Sequence, residues 1–75
     1  MPYKTDVELP PGVRNNLPQH AQDIYREAFN NAWEEYADAA KRRGQESREE
    51  ASHRVAWAAV EKEYAKDSSG VWRKK

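Results

Sequence analysis

The sequence contains no cysteine, which excludes disulfide cross-links, thiolate metal sites and thiol catalysis together, so the fold must rest on packing and hydrogen bonding. Long hydrophobic runs are also missing. The longest, Val55 to Val60, spans six residues, against the roughly 20 that a membrane-crossing helix needs. The opening Met1-Pro2-Tyr3-Lys4 lacks the apolar stretch of a secretory signal, so we expect a cytoplasmic protein with no membrane insertion. Glycine numbers only three, and no glycine-rich phosphate loop can be built from it. Seventy-five residues leave room for a single domain over 1–75. Hydrophobic residues make up 37% and charged residues 35%, where an average soluble domain has about 45–50% and 25%. Three Trp, four Tyr and one Phe must therefore supply much of the core.

The total charge is zero, with thirteen basic and thirteen acidic residues, and a pI near 6.7 is well below the value above about 9 expected of a dedicated nucleic-acid domain. The distribution is uneven. Residues 21–40 carry five acids and one base, whereas residues 41–75 carry ten bases and six acids. The chain has an acidic segment followed by a basic one.

From Tyr3 to Leu9, apolar and charged residues alternate strictly, the period of a half-buried strand. Pro10-Pro11 then suits a single helical turn through Asn16, and Pro18 suits the first position of a second helix. Ala21, Ile24, Tyr25, Ala28, Phe29, Ala32, Trp33, Tyr36 and Ala40 keep an amphipathic helical spacing, which predicts a helix from Pro18 to about Lys41. Gly44 is available for a left-handed turn beyond it. Ser47-Arg48-Glu49-Glu50 is a capping box opening a third helix. That helix has one apolar face of Ala51, Val55, Ala58 and Ala59, predicted to sit on the second helix. A nearly opposite face of His53, Trp57, Val60 and Tyr64 is predicted to be covered by the termini. Asp67-Ser68-Ser69-Gly70 breaks the helix, and residues 71–74 are β-prone. An antiparallel pairing of residues 2–5 with 71–74, placing Tyr3 and Trp72 over the third helix, is the simplest cover. The expected fold is mainly α: one short helical turn, two longer packed helices and a small antiparallel β element joining the N- and C-terminal segments.

Catalytic chemistry has few candidates. His20 with Asp23 and Glu27, or Glu50 with His53, could share a helix face, but each set is a single copy, and Glu50 is already explained as a cap. We expect no catalytic residue, no metal site and no cofactor. Aromatic residues interleaved with basic ones could stack on nucleic-acid bases, yet Tyr25, Phe29, Trp33, Tyr36, Trp57 and Tyr64 fall on predicted inner faces and read as core. Only Lys41, Arg42, Arg43 and Arg73, Lys74, Lys75 remain as a basic footprint.

Several stretches carry a resemblance over nearly the whole chain: Met1-Pro2-Tyr3-Lys4-Thr5, the Leu9-Pro10 and Leu17-Pro18 pairs, His20-Ala21-Gln22-Asp23-Ile24-Tyr25, Glu27-Ala28-Phe29-Asn30, Ala32-Trp33, Ser47-Arg48-Glu49-Glu50, Val55-Ala56-Trp57-Ala58-Ala59-Val60 and Trp72. In these the chain resembles the bacterial ChaB family. The resemblance implies a small, mostly helical protein with a minor β element, acting on ChaA, a membrane antiporter that exchanges cations for protons. It brings no catalytic residues. Gly12 and Ser68-Ser69-Gly70 depart from the family pattern, so no role for acid before the final tryptophan is carried over.

These readings give a non-enzymatic, monomeric binding protein that docks on the cytoplasmic loops of a cation/proton antiporter. The alternative is a nucleic-acid accessory module using Lys41 to Arg43 and Arg73 to Lys75. Asp23, Glu27, Glu34 and Asp38 form the candidate docking stripe on the outer face of the second helix. Their like-charge i, i+4 spacings are locally unfavourable, and a broken local rule points to a use elsewhere. The plainer reading is a solvated face relieved by Lys41 to Arg43 and an Asp38–Arg42 pair.

Overall fold

The computed structural model describes residues 3–75. After a 3-10 turn at Asp6–Glu8, the helices are α1 (Pro11–Arg14), α2 (Gln19–Glu35) and α3 (Arg48–Glu63), with a second 3-10 turn at Ala39–Lys41 between the last two; strands β1 (Tyr64–Lys66) and β2 (Trp72–Lys74) follow. The described residues are thus mainly helical with one two-stranded antiparallel sheet, as expected.

Helices α2 and α3 form an antiparallel hairpin that holds most of the core. Leu9, Val13, Leu17, Ala21, Tyr25 and Phe29 are all buried, a row recurring every fourth residue from the N-terminal segment through α1 into α2. Ala21, Tyr25 and Phe29 lie on one side of α2, and Leu9, Val13 and Leu17 join the same core cluster from the N-terminal part. Against it, α3 contributes a second row at the same spacing, Ser52, Ala56 and Val60, continued by Tyr64. The predicted seat of α3 is corrected here. Ala58 is exposed, and Val55 and Ala59 are half-buried. Ala51 of that predicted face is buried, as are Val60 and Tyr64 of the other, so the seated row takes in one edge of the second face and adds Ala56 and Ser52, and it was disguised because Ser52 is polar. Its hydroxyl donates to the Arg48 carbonyl at 2.8 Å, so the serine is buried with its hydrogen bond made.

The capping box at Ser47 forms as predicted: the Ser47 hydroxyl accepts from the Glu50 amide at 3.0 Å, and the Glu50 carboxylate accepts from the Ser47 amide at 2.9 Å. Gly44 takes a positive φ of 51°, the conformation in which a Cβ is strained. Helix α2 begins one residue later than predicted, with Pro18 preceding it, and stops at Glu35 rather than near Lys41. Competing local bonds end it. The Asp38 carboxylate accepts from the Ala40 amide at 3.0 Å and so starts a separate turn. Arg42 folds back to donate to the carbonyls of Tyr36 at 2.8 Å and Ala37 at 3.1 Å, satisfying acceptors that a longer helix would have used. The expected Asp38–Arg42 pair is replaced by these bonds.

The N-terminal segment is not a strand. Thr5 and Val7 are exposed while Leu9 is buried, so the strict alternation does not correspond to one covered side. Asn30 on α2 captures the backbone instead: its side-chain amide accepts from the Tyr3 N–H at 2.8 Å and donates to the Tyr3 carbonyl at 2.7 Å. Those are the bonds that a pairing strand would have supplied. The predicted pairing of residues 2–5 with 71–74 is therefore corrected: Tyr64, Ala65 and Lys66 lie opposite Lys74, Arg73 and Trp72. Pro2 lies outside the described residues. Tyr3 packs on Phe29 of α2 with ring centroids 4.8 Å apart, and Trp72 packs on α3, 5.6 Å from Trp57. Adjacent residues that follow directly from a helix can pair at far lower loop entropy than the two ends of the chain.

Asp67 organises the β-hairpin. One carboxylate oxygen accepts from the amides of Ser69 at 2.8 Å and Val71 at 2.9 Å, and the other accepts from the Arg73 guanidinium at 2.7 Å. The Arg73 bond first, then the Val71 amide, holds the Asp67 carboxyl below its ordinary value of 3.8. Because the folded pKa is depressed, this contribution is complete above the ordinary value and is lost as pH falls through the lower folded one. Asp67→Ala is expected to raise hydrogen exchange at Ser69 and Val71 while leaving the helical circular dichroism intact. Unchanged exchange at both amides would show that the turn does not depend on this side chain.

Candidate docking surfaces

The four carboxylates predicted to form one stripe on α2 have separate roles. Asp23 lies beside Asp6, at the root of the N-terminal segment. Gln19 donates to Asp6 and, more weakly at 3.5 Å, to Asp23, and Arg26 pairs with Asp6 at 2.8 Å. Burial, then the adjacent Asp23, raises the Asp6 pKa, with Arg26 opposing; the hydrogen bond from Asp6 is the main cause of the lowered pKa of Asp23. These two carboxyl groups share a site in which Asp6 is the readier to hold a proton. Asp38, beyond the end of the helix, is the cap described above. Glu27 and Glu34 remain, both exposed on α2 and in no ion pair among the described residues. Two helical turns separate them, so they share a face, about 10 Å apart.

The basic candidates are also divided. Lys41 to Arg43 lie in the connection before α3, while the Lys75 amide donates to the Glu63 carbonyl at the other end of that helix. The two groups stand at opposite ends of α3 rather than forming one footprint. Arg42 caps α2, and Arg73 is bound to Asp67 at 2.7 Å. Lys41, Arg43, Lys74 and Lys75 are exposed.

Both histidines are joined to tyrosines. The His20 ring lies 3.0 Å from the Tyr64 hydroxyl, and His53 Nδ1 is hydrogen-bonded to the buried Tyr25 hydroxyl. His53 Nε2 faces a Glu49 oxygen at 3.8 Å, an arrangement that favours the ring proton on Nε2 and leaves Nδ1 to accept from Tyr25. Burial lowers the His53 pKa, with Glu49 acting in the opposite direction. Among the described residues, no group of three or more His, Asp and Glu is placed to hold a metal ion.

A groove of about 360 Å³ was not anticipated from the sequence. It is lined by Gly12 and Asn16 of the N-terminal part, Trp57 and Glu61 of α3, and Lys66 and Trp72 of the hairpin. Trp57 and Glu61 are one helical turn apart, a spacing visible in the sequence. The contribution of Lys66 and Trp72 depends on the hairpin folding back along α3. Arg48 is a second unanticipated feature: its guanidinium lies 4.1 Å over the Trp33 ring and donates to the Trp33 carbonyl at 2.6 Å, tying the start of α3 to the end of α2. At the same end, Glu46 receives two bonds from Arg54, at 2.9 and 3.1 Å, which depress the Glu46 pKa.

These elements define a small helical-hairpin protein with a terminal β-hairpin and charged patches on its surface. The chain belongs to the ChaB family, whose model matches residues 9–75. It is 59% identical over 75 residues to proteins of Escherichia coli (strain K12) and Shigella flexneri, each named "Putative cation transport regulator ChaB", covering 100% of this chain and 99% of each relative. A solved structure titled "NMR solution structure of the putative cation transport regulator ChaB" matches with a TM-score of 0.83 at 58% identity, covering 99% of both chains. No helix among the described residues is long and apolar enough to cross a membrane.

Proposed function

We propose that this protein is a non-enzymatic regulator of cation transport that acts by docking on the cytoplasmic loops of a cation/proton antiporter. The regulatory role is supported by full-length similarity to relatives named as cation transport regulators; the antiporter as target follows from the family resemblance. The observation that carries the docking reading is the pair Glu27 and Glu34, exposed carboxylates sharing a face of α2 with no ion-pair partner among the described residues. Cytoplasmic loops of membrane proteins carry an excess of Lys and Arg, so this face and such a loop are complementary in charge. The protein acts as a cytoplasmic, single-domain monomer, with Asp23 and Asp38 flanking the contact while they serve their internal roles.

The test is capture of the detergent-solubilised antiporter by wild type and by a Glu27→Lys/Glu34→Lys double variant. Both side chains are exposed, so the fold should change by no more than about 0.5 kcal/mol per site. Wild type is expected to bind with an affinity that falls as salt rises, and the variant at least about tenfold more weakly. Full retention of the antiporter by a folded double variant would remove this face from the interaction. Complete failure of wild type to bind at low salt would overturn docking itself.

A further inference from the structure

We propose that the outer edge of β2 is a strand-addition site for an extended acidic segment of a partner protein. The register decides which backbone groups are already used. Lys75 donates to the Glu63 carbonyl at 2.9 Å and Asp67 to the Val71 carbonyl at 2.8 Å, and Ala65 lies opposite Arg73 between them. Odd-numbered residues are thus the bonded pairs. In an antiparallel ladder these alternate with pairs whose N–H and C=O groups point outward, which turns those of Trp72 and Lys74 away from β1. Among the described residues, neither outward amide nor either carbonyl has another partner. On the opposite edge, the Tyr64 N–H is occupied by the Val60 carbonyl of α3. The free groups of β2 recur every second residue, about 6–7 Å apart, the repeat of an incoming strand.

Charge selects the occupant. Arg73 is 72% exposed in its side chain, Lys74 and Lys75 are exposed, and the two lysines make no ion pair among the described residues. Lysines on an edge deter neutral strands. A second copy of β2 would place like charges directly across the new ladder, which is destabilising. A strand bearing Glu or Asp gives the two lysines cross-strand partners. Trp72, packed 5.6 Å from Trp57, holds the edge against α3, so little ordering is left for the moment of binding.

The site is separate from Glu27 and Glu34, and its test does not involve the antiporter. The full chain, labelled for NMR, is titrated with a blocked peptide of alternating glutamate and valine. Binding should slow hydrogen exchange at the Trp72 and Lys74 amides and weaken with salt. Lys74→Pro removes an outward N–H and no ladder bond, a place where an edge strand tolerates proline, and should weaken binding at least about tenfold. Lys74→Gln, which loses only the charge, should weaken it about two- to threefold. The same peptide methylated on alternate backbone nitrogens should not bind. No binding at about 1 mM, equal binding of the methylated peptide, equal loss in the two variants, or protection at α2 instead would each overturn the proposal. So would concentration-dependent dimerisation through β2.

Discussion

Phe29→Ala is expected to cost about 3–5 kcal/mol, the range for deleting a buried aromatic ring. Phe29 is 0% exposed, and its ring lies 4.8 Å from Tyr3, 6.0 Å from Trp33 and 4.7 Å from His53. It is thus the common neighbour of the N-terminal segment, α2 and α3, and its loss leaves a cavity that no single element can close. For a domain of this size, each kcal/mol at the midpoint lowers Tm by roughly 4–8 °C, and a total stability of about 5–15 kcal/mol leaves little reserve. Thermal and denaturant unfolding measure the loss directly. A cost below about 1 kcal/mol would mean that the core is not centred on this residue.

Tyr25 separates ring burial from hydrogen bonding. It is also 0% exposed, packs edge-on against Trp57 at 5.2 Å, and its hydroxyl is hydrogen-bonded to His53 Nδ1. Burial raises the phenol pKa well above its ordinary value, so the hydroxyl stays neutral. Tyr25→Ala should again cost about 3–5 kcal/mol, whereas Tyr25→Phe should cost about 1 kcal/mol, because it keeps the ring and leaves one acceptor on His53 unpaired. The histidine adds a pH dependence. Its folded pKa lies below the ordinary 6.5 because burial disfavours the charged ring. The unfolded chain therefore binds the proton more readily, and this contribution is complete above pH 6.5 and declines as pH falls through the lower folded value. His53→Gln should flatten stability against pH across that interval. A profile unchanged by the substitution would assign the slope to other groups.

The two aromatic sites differ in how visible they were. Tyr25 and Phe29 belong to an unbroken amphipathic spacing, so their burial followed from periodicity. The partner of Tyr25 did not, because His53 lies 28 residues away, and only the antiparallel packing of α3 on α2 brings them together. The structure divides the four carboxylates of the docking stripe for a similar reason. Its four carboxylates share one side of an ideal helix extending past Asp38, but Asp38 bonds the Ala40 amide and the helix ends at Glu35. Asp23 was drawn into the cluster around Asp6 and Arg26, whose placement requires the N-terminal segment to fold across α2.

The sequence by itself determined the features whose causes lie within about one helical turn. These are the capping box at Ser47, the left-handed turn at Gly44, the helical identity of α2 and α3 (though α3 ends at Glu63, where Tyr64 opens β1, and not at the expected Asp67 to Gly70) and the mainly helical class. Each is governed by neighbours a few residues away, so the signal is complete in the local string. Tertiary structure decided what depends on competition between distant surfaces. Tyr3 and the residues after it had the period of a strand, yet Asn30 satisfied the Tyr3 backbone and no strand was needed. Helix α3 had two plausible apolar faces and was seated on a row that takes Val60 and Tyr64 from one of them and adds the small residues Ser52 and Ala56. The C-terminal strand found β1 rather than the N-terminus because the short hairpin closes at less entropic cost than the whole chain. In each case, the local pattern allowed more than one solution, and contacts between elements distant in sequence selected the one adopted.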